Sequence, residues 1–136
     1  MFSYKPDFSK LILRLGIGGL MIFHGIHKLL HGHDFIQSSL HNKGLPEFLW
    51  VGVPISEVIA PIAIILGLFT RIASLLIVLV MLFSLFLAFG AETFTLTPHG
   101  GLKGELNLFY IFTGTALFFA GSGKYSVYRG NNVWLQ

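Results

Sequence analysis

Apolar residues run along this chain in four long blocks, separated by short polar stretches. The blocks are roughly 11–30, 51–69, 72–89 and 106–120. A helix needs about 20 mainly apolar residues to cross a bilayer, and fewer where neighbouring helices bury its end. The third block carries no charged residue, and the fourth is the shortest. Pro6 and Asp7 suit a helix start before the first block. No small-x-small site follows that block, so a cleaved leader is not expected. Pro61 stands inside the second block, where it removes a backbone donor and kinks the helix. "GLFTR" joins the second and third blocks by a turn so short that the two helices must be antiparallel neighbours. Two longer connections remain, 31–50 and 90–104, and both read as loops. The pattern predicts an all-α integral membrane four-helix bundle formed by one domain, 1–136.

Composition strengthens this expectation. Of 136 residues, 54% are hydrophobic and 11% charged, against about a quarter charged in a soluble domain. Mean hydropathy is +0.75. With no cysteine, disulfide, thiolate and iron–sulfur chemistry are excluded. The net charge of +3 does not point to nucleic acid, because the cations sit at the ends of apolar blocks. Lys5, Lys10, Arg14, Arg71, Lys124 and Arg129 fall on the side of the termini, and Lys28, Lys43 and Lys103 on the other. The positive-inside rule then places both termini in the cytoplasm and both long connections outside. Gly16, Gly18, Gly19 and Gly25 on the first helix permit close approach of a neighbour.

Charged groups inside a span are costly and usually functional. "LGIGGLMIFHGIHKLLHGHDF" ends an apolar helix in histidines and a lysine. His24 and Lys28 are four apart and share a helix face. Glu57 lies about one turn inside the outer end of the second helix, and Glu105 at the outer start of the fourth. His24, Lys28, Glu57 and Glu105 therefore fall at similar depth in the outer half of the bilayer. Blander readings exist for each. Glu105 suits the first turn of a helix, Lys28 can snorkel to the surface, and a single histidine on an apolar helix is commonly a hydrogen-bonded core residue. His31, His33 and His41 read as loop residues and Arg71 as an inner-face anchor. His27 stands about 60° from the face of His24, a weak metal signal. Two carboxylates with a histidine, His24, Glu57 and Glu105, are a set that could hold iron or another divalent metal, but the Glu-x-x-His pairs of di-iron bundles are missing. A His, Lys and Glu cluster under the surface suits a quinone head group and its protons.

Four stretches carry a resemblance: "LILRLGIGGLMIFHGIHKL", "GLP", "SEVIAPIAIILGLFTRIASLLIVLVML" and "GGLKGELNLFYIFTGTALFFAGSGKYSV". Together they resemble the DoxX-like family of small bacterial inner-membrane proteins, from about Leu11 to Val127. The resemblance implies a four-helix membrane protein. Some relatives are membrane subunits of thiosulfate:quinone oxidoreductase, and others belong to membrane complexes for oxidative-stress defence. It implies functional positions at His24, Lys28, Glu57, Arg71 and Glu105. Relatives often carry a histidine near the outer end of the third helix, where this chain reads "FLAFG"; His99 in "TPHGG" is the substitute the loop offers. The expected function is a subunit or accessory of a redox system. Its candidate pocket residues are His24, Lys28, Glu57 and Glu105, with His27, Arg71 and His99 secondary. Quinone is the expected ligand, and electrons must come from a redox partner because the chain holds no redox centre. Whether the chain itself catalyses stays open. The alternatives are a non-catalytic anchor or assembly partner, and, further off, a small-solute or proton transporter built from a homo-oligomer.

Overall fold

A computed structural model describes residues 5–134. It is mostly helical, with no strand among the described residues. The helices are α1 (Pro6–His31), α2 (Asp34–Asn42), α3 (Glu47–Leu66), α4 (Thr70–Phe94) and α5 (Glu105–Ala120). Three of them, α1, α3 and α4, are long and apolar enough to cross a membrane, and α5 is a shorter apolar helix. α1 packs on α3 and α5, and α4 packs on the same two, with its largest interface against α5.

The α1–α3 contact is made by glycine. An added Cβ at Gly18 would lie 2.9 Å from the Pro61 carbonyl oxygen, and one at Gly25 would lie 2.6 Å from Val58 Cγ2. Met21 stands between them with no exposed surface. Gly16 and Gly19 face open space instead, so only two of the four glycines expected to close the helices do so. Gly114 serves α5 in the same way, against Val78 and Ser74 of α4.

The second span stops at Leu66, short of the expected Phe69. Gly67 sits at φ +72°, and the Leu68 and Gly67 amides donate to the carbonyls of Ala63 and Ile64. This is a Schellman ending, which glycine favours because it has no Cβ to clash in the left-handed region. The 31–50 connection, expected as a loop, contains α2. Ile36 and Leu40, four apart, are its buried face, and the helix packs on the start of α3 and the Leu85–Phe89 turn of α4. That i, i+4 pair is a helix signal too short to rise above loop composition.

Both α3 and α4 depart from α geometry near the end that α2 covers. Around Ile55–Ile59 the ladder widens, so the Ala60 amide donates to Ile55 five residues back. Leu85–Phe89 repeats this, with Gly90 donating to Leu85. In α3 the cause is visible in the sequence. Pro61 has no N–H, so the Glu57 carbonyl loses its i+4 partner. Such widened turns occur often at functional sites.

A candidate polar site between α1, α3 and α5

The widened turn of α3 presents Glu57 toward α1. Glu57 is 1% exposed, and Lys28 Nζ donates to its Oε1 at 2.6 Å. The Lys28 side chain keeps 35% of its surface, so the ammonium is half in and half out. Glu57 Oε2 is buried and has no hydrogen-bond partner. An unpartnered buried carboxylate oxygen is uncommon, because leaving one unsatisfied costs about 1–3 kcal/mol or more.

A cavity of about 110 Å³ adjoins this pair. Met21, His24, Tyr110 and Asn107 help to line it. The His24 ring meets Tyr110 edge to face, centroids 6.3 Å apart. Asn107 Nδ2 points at Met81 Sδ at 3.5 Å. A second cavity of about 260 Å³ shares Lys28, Glu57, Ser84 and Asn107 with the first. Its remaining wall is largely apolar, with Ile36, Val80, Phe83 and Leu87 among the lining residues. The pair therefore lies where a small polar chamber meets a larger apolar one.

Of the four principal candidates, three converge on the cavities. His24, Lys28 and Glu57 line them, and Glu105 does not. Glu105 is exposed. Its carboxylate lies over Gly101, where an added Cβ would fall 2.8 Å from Cδ, so the side chain turns toward the 95–104 loop. Shared depth brought it into the set, but depth does not fix direction. His27 is exposed and stacks on His31, centroids 4.2 Å apart. His99 is an exposed loop residue. Arg71 stands at the opposite end, where Nη1 donates to the Phe118 carbonyl at 2.8 Å. His24, Glu57 and Glu105 do not form a metal-holding group, and no group of three or more His, Cys, Asp or Glu does among the described residues. Glu57 is engaged by Lys28 and Glu105 faces away.

Tyr110 and Asn107 escaped sequence reasoning. Both follow Glu105 on α5, at positions two and five residues on, and a tyrosine and an asparagine in an apolar run were the available signal.

The DoxX family model matches residues 9–90, more than half the chain. The chain belongs to the DoxX family. The match includes His24, Lys28, Glu57 and Arg71 and ends before Glu105. No curated protein and no solved structure matches this DoxX-family chain. Membership and the apolar helices make it a membrane protein.

Proposed function

We propose that this protein is a multi-pass four-helix bundle of the bacterial inner membrane, with both termini cytoplasmic, and that it serves a redox system by binding a quinone head group beside Glu57. The idle Glu57 Oε2 carries the reading. It is a buried acceptor at the junction of a polar and an apolar cavity. A quinol offers hydroxyl donors to such an oxygen, and its ring and first isoprene units match the apolar chamber. Lys28 is a charged donor for the carbonyl of the oxidised form. The His24 imidazole at the cavity wall is a group able to take up or release the proton. The residues bind and move protons only. Electrons come from a partner, because no residue here supplies them.

The test is mass spectrometry of small molecules extracted from protein purified in mild detergent, comparing the natural chain with Glu57→Gln. Quinone retained by the natural chain and lost in the variant supports the reading. If neither retains quinone, the reading fails, and a purely structural Lys28–Glu57 tie in a membrane anchor takes its place.

A further inference from the structure

The charge of the molecule is divided between its ends. Six of the nine Lys and Arg residues lie at the end of the termini, with Asp7 as the one acidic residue there in the sequence. The end that holds Glu57 has three cations and five carboxylates. Three of the six cations donate to backbone carbonyls, Arg129 through Nε to Ser126 at 3.3 Å. Arg14 is 1% exposed and is bonded to four carbonyls, and Arg71 is tied to Phe118. The ion pairs among the described residues are Lys28–Glu57, His41–Glu47 and Lys103–Glu92. Lys5, Lys10, Lys124 and Arg129 thus lack a carboxylate partner among the described residues.

Three of these four share one cleft. A cavity of about 330 Å³ is lined by Asp7, Lys10, Ser122, Lys124, Tyr128 and Arg129, among others. It lies between the first turns of α1 and the chain leaving α5. The fold makes it deliberately. Gly121 and Gly123, at φ +71° and +72°, turn the chain back, and Arg14 holds the returning segment through Ser122 and Tyr125. Asp7 is occupied by the Lys124 amide, which donates to Oδ1 at 3.2 Å. A neighbouring cavity of about 370 Å³ shares Asp7 and Lys124 and adds Lys5 and Phe8. Phe8 is half exposed. The cleft therefore joins a cationic chamber to an apolar flank at a helix end.

We infer that this cleft binds the phosphodiester headgroup of an anionic phospholipid. The ligand chemistry is a phosphate oxyanion, which fits the three cations Lys10, Lys124 and Arg129 that line the cleft. A lipid is favoured over a soluble phosphate because the cleft opens at the level where α1 begins and α5 ends. There Phe8 and the exposed Tyr125 and Val127 can lie along acyl chains. Basic pockets between membrane helices bind headgroups in this way. The inference does not depend on what fills the Glu57 cavity.

The experiment is native mass spectrometry of the full chain in detergent with dioleoyl-phosphatidylglycerol, dioleoyl-phosphatidylcholine or inorganic phosphate, on the natural chain and Lys10→Gln/Lys124→Gln. Neither lysine side chain makes a hydrogen bond within the protein that the fold needs, so the variant should fold. With each lysine contributing about fivefold near an anionic surface, phosphatidylglycerol should bind the double variant about 30-fold more weakly. Phosphatidylcholine should bind weakly and equally to both. If the double variant does not accumulate, Lys124→Gln alone carries the test, with about fivefold weakening expected. Equal phosphatidylglycerol binding to the natural chain and the variant overturns the site. Displacement of phosphatidylglycerol by inorganic phosphate at matched concentration overturns the lipid as occupant. Retained quinone, measured in the same samples, should be unchanged by these variants.

Discussion

Replacing Gly25 with alanine tests how the site is held. An added Cβ would stand 2.6 Å from Val58 Cγ2 and 2.7 Å from the Glu57 carbonyl carbon, with the carbonyl oxygen nearer still. The Val58 methyl can turn away, but the Glu57 backbone cannot. α1 and α3 must separate by about 1 Å to restore ordinary contact, and overpacking of this kind costs about 1–3 kcal/mol. The same movement pulls Lys28 on α1 from Glu57 on α3. A bond now 2.6 Å long is stretched toward the outer limit of a good hydrogen bond, about 3.2 Å. Gly16 is the control, because an added Cβ there meets nothing within 4 Å. Both substitutions gain the same helix propensity, about 1 kcal/mol, so that contribution cancels in the comparison. The difference between the two variants isolates the overpacking. We expect Gly25→Ala to be less stable than Gly16→Ala by about 2 kcal/mol, near the middle of that range because a backbone atom is hit. Unfolding of micelle-embedded protein by sodium dodecyl sulfate, followed by far-ultraviolet circular dichroism, measures it. Quinone retention should fall in Gly25→Ala and hold in Gly16→Ala. Equal stability of the two variants would refute the close α1–α3 contact, and with it the account of how Glu57 is presented.

Arg14→Met should cost about 4 kcal/mol, since four carbonyls lose a charged donor and the gain from not burying a guanidinium offsets only part of it. Arg14→Lys should rescue little in the same unfolding assay, because one ammonium cannot reach four divergent acceptors. Topology follows from single cysteines, as the natural chain has none. A membrane-impermeant maleimide applied to spheroplasts should label His99→Cys and leave Asn132→Cys unlabelled, and the reverse pattern would invert the proposed orientation.

Much of the fold was legible because apolar length is a coarse signal that survives ignorance of neighbours. Three of the four blocks gave helices long enough to span and the fourth gave the shorter α5, and the errors lie at their ends. Gly67 ended α3 early, and the Ile36–Leu40 pair was too short to announce α2. The site was legible in depth but not in azimuth. Counting about 1.5 Å per residue put His24, Lys28, Glu57 and Glu105 on one level. Whether a side chain faces inward depends on which helices flank it, and that is set by glycine contacts such as Gly25 on Glu57. The sequence also suggested Gly16 and Gly19 for the same task, and nothing local distinguishes the four glycines. Arg14 was legible only as a surface cation. Its real partners are 50 to 111 positions away in the chain, beyond the reach of any local pattern.

Two buried charges show how this molecule separates structure from reactivity. Arg14 Nε donates to Ile64, Nη1 to Ser122 and Tyr125, and Nη2 to Ile65. Ile64 and Ile65 are in the last turn of α3, where carbonyls run short of helical partners, and the Ile64 oxygen is shared with the Gly67 amide. The guanidinium on α1 thus ties two other segments, with four of its five N–H donors used. A ligand would have to break bonds to reach it. Glu57 is as deeply buried, yet one oxygen is paired and the other is idle beside a cavity. The Pro61 that widened the turn also left the Glu57 carbonyl without its helical donor. One buried charge bonded out, and another left with a free oxygen beside a cavity, is the arrangement that the proposed quinone site requires.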